Sequence, residues 1–167
     1  MRTIQRPSIY TQSAESLGLF FGASSAAAAW VAINVALFVP VKLERPALVK
    51  RLFCANGNVV SGNIDMGIYT RDGARIVSKG TTPQAGTTAL QFFDITDTLL
   101  MPGQYFMAVA MDNTTGTLRR FNVSIIRQQH MGVLKAASAF ALPSSVTFAT
   151  TADNYIPNIG MELLGIT

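Results

Sequence analysis

The chain has 167 residues and an unusually low content of charged side chains. Only 13% of its residues are Asp, Glu, Lys or Arg, against about 25% in an average soluble domain, while 49% are hydrophobic. Its mean hydropathy is +0.32. A monomer of this length buries about 70% of the surface that its unfolded chain exposes. This composition predicts that part of the remaining surface contacts another protein instead of water.

The first residues and the longest apolar run argue against secretion and against a membrane span. Residues 26–41 are interrupted by Asn34 and Pro40 and are shorter than the roughly 18 to 20 residues that cross a bilayer. Residues 1–7 adjoin no apolar core of a signal peptide. The single Cys54 lies in an apolar run and is predicted to be a buried, inert thiol. We therefore expect synthesis and assembly in a cytoplasm.

Residues 1–29 differ in composition from the rest of the chain. They are rich in small and apolar side chains and show no clean alternation, which predicts an extended N-terminal arm ahead of a β-sandwich domain over residues 30–167. A short helix in the Ala-rich residues 23–29 is the alternative, since Ala has a high helix propensity. We expect the arm to dock on a neighbouring subunit. The predicted interface residues are Ile9, Leu17, Leu19, Phe20 and Phe21.

The first strands are predicted between Trp30 and Pro46. Residues 36–39 are apolar and residues 41–45 alternate apolar with charged, as in a strand with one face in water. Pro40 has no backbone N–H to donate, so it predicts an edge strand or a bulge.

Gly, Asn, Asp and Pro then divide residues 50–112 into short runs of β-branched and aromatic residues. Asn56-Gly57 predicts a tight hairpin with positive φ angles between strands at 51–55 and 59–69. The 59–69 strand would place Ile64, Met66 and Ile68 on one face and Asp65 and Gly67 on the other. The next turn is predicted at residues 71–73, and further strands at residues 74–78, 88–95 and 103–111.

The remaining third of the chain completes an all-β prediction. A turn at residues 113–116 precedes a predicted strand at 117–126, residues 128–160 are predicted to run over the sandwich, and a closing strand is expected at 160–164. The spacing leaves no room for crossover helices between residues 50 and 112. We therefore predict a single antiparallel, jelly-roll-like β-sandwich with an extended arm.

Residues 36–112 also resemble a known type of module. The segments that carry the resemblance are Arg51-Leu-Phe, Ser61-Gly-Asn-Ile-Asp-Met-Gly-Ile-Tyr69, Asp72-Gly73, Gly80 with Gln84-Ala-Gly86, and Leu100-Met-Pro-Gly-Gln-Tyr-Phe106. This succession resembles a β-sandwich module of virion proteins from tailed bacteriophages. The resemblance implies a capsid decoration (cement) protein or a tail or head fibre, and it brings no catalytic residue.

Few residues suggest chemistry. The only histidine, His130, has no motif around it, and Asp94 and Asp97 are interpreted as residues of a loop that cap turns instead of an acid pair for glycoside hydrolysis. One Cys and one His cannot make a zinc site, and no short loop carries three acidic ligands for calcium. No phosphate-binding glycine pattern occurs. The sequence predicts no enzyme, no cofactor and no metal.

The net charge of +4 raises the possibility of an acidic partner. Nucleic acid is not favoured, because Lys50-Arg51 and Arg119-Arg120 are isolated pairs whose members point to opposite faces of a strand. Complementarity to an acidic shell protein is the preferred interpretation.

Together these expectations describe a non-enzymatic virion protein on the capsid surface. Its expected partners are the major capsid protein and copies of itself in a homo-oligomer, with no membrane. The alternative is a fibre or a receptor- or carbohydrate-binding module, in which Trp30, Tyr69 and Tyr105 would be candidates for stacking on sugar rings, although aromatic residues within strands more often lie in the core.

Overall fold

The computed structural model describes residues 8–10 and 25–165, and its regular secondary structure is almost entirely β-strand. Strands account for 56% of the structure and helix for 4%, and every strand pair is antiparallel. This confirms the predicted all-β antiparallel fold. The jelly-roll connectivity stays a prediction.

The elements follow one another closely along the chain. They are β1 (Ser8–Tyr10), β2 (Ser25–Ala29), β3 (Ala36–Leu43), β4 (Ala47–Ala55), β5 (Asn63–Thr70), β6 (Arg75–Ser78), β7 (Thr82–Pro83), β8 (Leu90–Leu100), β9 (Gly103–Met111), β10 (Thr117–Asn122), α1 (Ile125–His130), β11 (Leu134–Ala136), β12 (Ala149–Thr150), β13 (Tyr155–Pro157) and β14 (Ile159–Gly165).

The described strands form three sheets. The four-stranded sheet has the order β1-β14-β4-β8, and the three-stranded sheet has the order β13-β10-β2. The seven-stranded sheet has the order β12-β11-β3-β9-β5-β6, with β7 also paired to β5. Consecutive strands therefore often lie in different sheets, as β4 and β5 do, and the chain crosses the core between them.

The main core lies between the sheets. Side chains from β3, β5 and β9 of the seven-stranded sheet meet side chains from β4, β8 and β14 and from the three-stranded sheet. Its members include Leu37, Leu52, Met66, Val109 and Met161, all fully buried. Alternate residues of each strand reach this core because successive side chains point to opposite faces.

A second core covers the other face of the seven-stranded sheet. Phe38, Tyr69 and Ala108 lie beneath the cover segment, which we define as residues 137–148 and which contributes Ala139 and Leu142. The predicted run of chain over the sandwich is confirmed for residues 137–148, but the other parts of residues 128–160 include the end of α1 and the sheet strands β11, β12 and β13. Polar contacts hold it down, since the Tyr69 hydroxyl donates to the Pro143 carbonyl at 2.6 Å.

Both faces of β5 are buried although only one of them is apolar, because the second core covers the other face. Ile64, Met66 and Ile68 face the main core as predicted. Asp65 lies on the opposite face, completely buried, and its carboxylate accepts hydrogen bonds from the backbone N–H groups of Leu142 and Gly80. Burial raises the pKa of this carboxyl, although these hydrogen bonds oppose the effect.

The predicted hairpin at Asn56-Gly57 is wrong. β4 and β5 belong to different sheets, and Gly57 has no positive φ. Asn56 instead links the end of β4 to β8 and to the loop before it: its side-chain amide donates to the Ala85 carbonyl and to Gln91 Oε1, and its Oδ1 accepts from Gln84 Nε2. The Asn-Gly pair is therefore explained by these tertiary contacts and not by a local turn.

Other local predictions are confirmed. Gly73, with φ of 87°, forms the turn between β5 and β6, and β9 has the predicted bounds of Gly103–Met111. At Pro40, β3 has a partner strand on one side only, because β11 pairs with β3 no further than Phe38. The missing N–H is therefore tolerated as at a sheet edge.

Two parts of the predicted arm lie in sheets. Backbone pairing joins Ile9 of β1 to Glu162 of β14, and β2 pairs with β10 from Ser25 to Ala29. The expectation that the arm stays outside the sheets is therefore wrong for residues 8–10 and 25–29, and the alternative of a helix over residues 23–29 is wrong for 25–29. Sheet pairing satisfies backbone groups whatever the side-chain pattern, so Ala-rich residues can form an edge strand.

The sequence reading also extended the strand at 117–126 too far. It ends at Asn122, and residues 125–130 form helix α1. Ser124 caps this helix by accepting a hydrogen bond from the Arg127 N–H.

Candidate functional site

β8 forms one edge of the four-stranded sheet and exposes apolar side chains. It has 11 residues, and among residues 8–10 and 25–165 no strand pairs with its outer edge. Leu90, Phe92 and Leu99 are 49%, 39% and 53% exposed. A long apolar edge strand is a ready surface for protein association.

The register with β4 shows which side of the sheet these residues occupy. Leu52 and Cys54 of β4 lie in the main core, so the neighbouring Arg51 and Phe53 lie on the outer face of the sheet, where Arg51 is half-buried and Phe53 is fully buried. Asp94 is the partner of Arg51, and Phe92 is the partner of Phe53. We call this outward face the β8 surface, formed by Leu90, Phe92, Asp94, Leu99, Arg51 and Glu162.

A charged band crosses the middle of the β8 surface. Arg51 pairs with Glu162 on β14, and its Nε lies 3.9 Å from Asp94 Oδ1 on β8. The register shifts at Lys50, whose Nζ lies 3.5 Å from Asp97 Oδ2. These five residues with Ile95 line a cleft of about 280 Å³.

The charges of this band nearly cancel. Two cations face three carboxylates, and the hydrogen bond from Arg51 lowers the pKa of Glu162, which keeps that carboxylate ionised. Arg51 also lies over the Phe92 ring, with its Cζ 5.0 Å from the ring centroid. The β8 surface is therefore apolar at both ends and close to neutral in the middle, which suits a protein partner better than a phosphate backbone.

A second cleft lies at the end of β3 and β9 and has a different character. Its volume is about 300 Å³. We call it the β3–β9 cleft; it is lined by Pro40, Val41, Lys42, Arg71, Gln104, Tyr105, Phe106, His130, Met131 and Gly132. It combines cationic, amide and aromatic groups, and no Asp or Glu lines it.

The predicted interface residues of the arm are placed only in part. Ile9 lies in β1, opposite Glu162 in the backbone register, at the end of the four-stranded sheet away from β8. Leu17, Leu19, Phe20 and Phe21 lie outside the described residues. Their role as an interface stays a prediction.

The aromatic candidates for sugar stacking separate clearly. Trp30 is 2% exposed and packs edge-on against Tyr155 with ring centroids 5.4 Å apart, and Tyr69 is fully buried. Neither can stack on a sugar, as expected for core residues. Tyr105 is half-buried and lines the β3–β9 cleft.

The remaining residues considered for chemistry are not assembled into a catalytic group. Cys54 is fully buried, and burial raises the pKa of its thiol to about 12, as expected for an inert core cysteine. The interpretation of Asp94 and Asp97 as loop residues is wrong, since both lie in β8. His130 is exposed at the end of α1 and lines the β3–β9 cleft.

The sequence reading missed the apolar members of the β8 surface. The predicted strand at 88–95 contains Leu90 and Phe92 but not Leu99, and the prediction overlooks that the adjacent Phe92 and Phe93 must point to opposite faces. A strand that is apolar on both faces needs a second covering layer or a partner. That signal was present in the sequence.

Comparisons with protein-family models, with curated proteins and with solved structures gave no match. Within residues 8–10 and 25–165, no helix has the length and apolarity to cross a membrane. In that same part of the chain, no group of three or more His, Cys, Asp or Glu residues is arranged to hold a metal ion.

Proposed function

We propose that this protein is a non-enzymatic structural component of a bacteriophage virion that decorates and stabilises the capsid, and that it docks through the β8 surface. The observation that carries the proposal is the exposure of Leu90, Phe92 and Leu99 on β8, whose outer edge pairs with no other described strand, beside a charge-balanced band. The resemblance of residues 36–112 to virion modules supplies the biological setting. The major capsid protein is the proposed partner, together with copies of this chain in a symmetric oligomer.

The proposed mechanism is mass action. A protein that binds the assembled lattice and not its free subunits stabilises the lattice by its binding free energy. Burying Leu90, Phe92 and Leu99 would contribute about 25 cal/mol per Å² of apolar surface, before the cost of association. Each contact is modest, so a lattice that repeats it many times gains most.

Copy number distinguishes capsid decoration from a fibre. In purified virions of the phage that encodes the chain, quantitative mass spectrometry against the major capsid protein should find hundreds of copies per particle. Tens of copies or fewer would support the fibre alternative. Absence from virions would refute both.

A substitution on the β8 surface tests the docking face. Leu99→Lys places a charge on a side chain that is 53% exposed, so the subunit should fold normally but bind purified capsid shells at least about tenfold more weakly, because an apolar contact would be replaced by a desolvated charge. Co-sedimentation with shells at a series of protein concentrations measures the affinity.

Ile126→Lys is the matched control. Ile126 is 79% exposed on α1, outside the β8 surface, and its substitution should leave shell binding unchanged. Equal binding by Leu99→Lys and the native chain would show that β8 is not the docking face. Equal loss in both variants would point to a general effect of added charge.

A further inference from the structure

The β3–β9 cleft lies where the cover segment leaves the seven-stranded sheet exposed. On the outer face of that sheet, Phe38 and Tyr69 lie under the cover segment, whereas Pro40 and Phe106 are only half-buried and Lys42 is exposed. The cleft is separate from the β8 surface, which belongs to the four-stranded sheet.

The charge of the cleft favours an anion. Lys42 has one carboxylate partner, Glu44, at 3.2 Å, and both side chains are exposed. Arg71 forms no ion pair with any described Asp or Glu. Because Arg71 presents five N–H donors in a planar fork, it is suited to bind a carboxylate through two parallel hydrogen bonds.

The other lining groups favour a sugar as the body of the ligand. Phe106 lies on the outer face of the sheet and packs against Phe148 with ring centroids 4.9 Å apart, whereas the ring of the neighbouring Tyr105 packs against the main core. The half-buried Phe106 ring and its register partner Pro40 offer apolar surface to the C–H groups of a pyranose. Gln104 supplies both donors and acceptors for hydroxyl groups. The volume of about 300 Å³ is at the lower end of the usual range for small-molecule sites.

We propose that the β3–β9 cleft binds an acidic saccharide, with Arg71 and Lys42 holding the carboxylate of a uronic or sialic acid. This is a binding activity in addition to capsid decoration, and it does not depend on the β8 surface. A decorating subunit with such a cleft would attach the particle to acidic polysaccharide through many weak contacts.

Titration of the full-length protein with trigalacturonate tests the proposal, with its uncharged methyl ester as the matched ligand. Calorimetry and amide chemical shifts should show binding of trigalacturonate, with shifts at Tyr105 and Gly132, and much weaker binding of the ester. N-acetylneuraminic acid is the second acidic probe. Arg71→Ala should weaken the binding of the acidic probes about tenfold or more, through loss of a charge-assisted hydrogen bond.

Arg45→Ala is the control, because Arg45 is an exposed arginine outside the cleft and its loss should leave affinity unchanged. A titration with acetate at the same carboxylate concentration distinguishes a site for any carboxylate from a site for an acidic saccharide, because only the first would bind acetate as tightly as trigalacturonate. Equal affinity for trigalacturonate and acetate, equal affinity for the acid and its ester, or undiminished binding by a folded Arg71→Ala variant would each overturn the proposal. So would the absence of binding by both acidic probes.

Discussion

Gly57 lies where the chain leaves β4, and the reason for glycine there is crowding. A Cβ at this position would lie 2.3 Å from Thr117 Oγ1 and 2.9 Å from the Cβ of Ala27. The backbone is also fixed on both sides, since the Gly57 N–H donates to the Thr117 carbonyl at 2.9 Å. The residue therefore allows β4 and the three-stranded sheet to approach closely.

Gly57→Ala should lower the free energy of unfolding by about 1 to 3 kcal/mol, because the added methyl must displace a strand. Urea denaturation of the purified variant measures the change. Gly103→Ala is the control: its Cβ would meet nothing closer than 3.5 Å, so the change should stay within about 0.5 kcal/mol. Equal stability of Gly57→Ala and the native chain would contradict the crowding.

At the scale of elements, Arg51 and Glu162 connect the central strands of the four-stranded sheet. Arg51 of β4 and Glu162 of β14 are partners in the register, and their side chains form an ion pair on the outer face. Glu162 is only 6% exposed, so its carboxylate depends on Arg51 for charge compensation. The pair therefore fixes the alignment of the two strands beside the register shift at Glu162/Leu163.

Stability should depend on pH through this pair. The hydrogen bond from Arg51 lowers the pKa of Glu162 in the folded state. The ion pair therefore stabilises the folded protein at any pH above the pKa that Glu162 has in the unfolded chain. This stabilisation is lost as the pH falls through the pKa that Glu162 has in the folded state. Glu162→Gln should therefore destabilise the protein at neutral pH, and its difference from the native chain should shrink on acidification. Urea denaturation from about pH 7 to pH 2 measures this.

Glu44→Gln is the matched control, because Glu44 and its partner Lys42 are both exposed. Its free energy of unfolding should stay within about 0.5 kcal/mol of the native value at neutral pH. If Glu162→Gln differed from the native chain by a constant amount at every pH, the ion pair would not be the source of the effect.

For the whole molecule, the question is how much the N-terminal residues contribute to folding and how much to assembly. The described members of both cores lie between Trp30 and Leu163. β1 adds three residues to the edge of β14, whereas β2 pairs with five residues of β10. The contribution of β1 to stability should therefore be small.

Deletion of residues 1–24 should leave a folded β-sandwich whose melting temperature falls by about 2 to 8 °C, as expected for the loss of roughly 1 to 2 kcal/mol. We expect the truncated chain to bind capsid shells more weakly, since Ile9, Leu17, Leu19, Phe20 and Phe21 are the predicted arm contacts. Circular dichroism and co-sedimentation test the two parts. If the truncated chain is unfolded, the deleted residues belong to the core. If it binds capsid shells as tightly as the native chain does, the predicted arm contacts are wrong.

Local sequence patterns predicted the secondary structure correctly at turns and strand starts that depend only on residues close together in the chain. Gly73 adopts the positive φ that its turn requires, and β9 begins after Met101-Pro102 as predicted, because turn residues act within a few positions of the chain. The burial of Cys54 followed in the same way from its apolar neighbours. These features gave the all-β fold without knowledge of which strands pair.

Tertiary structure alone decided the partners of the strands and the location of both candidate sites. Asn56-Gly57 has the composition of a hairpin, yet the contacts of Asn56 with Gln84 and Gln91, and the close approach of Thr117 to Gly57, join segments that are far apart in sequence. The β3–β9 cleft likewise has Arg71, Lys42 and His130 in a single lining, although they are far apart in sequence. The alternation of apolar and polar residues indicates which face of a strand is buried. It does not indicate which element packs against that face, because the hydrophobic effect is not directional and any apolar surface can cover any other.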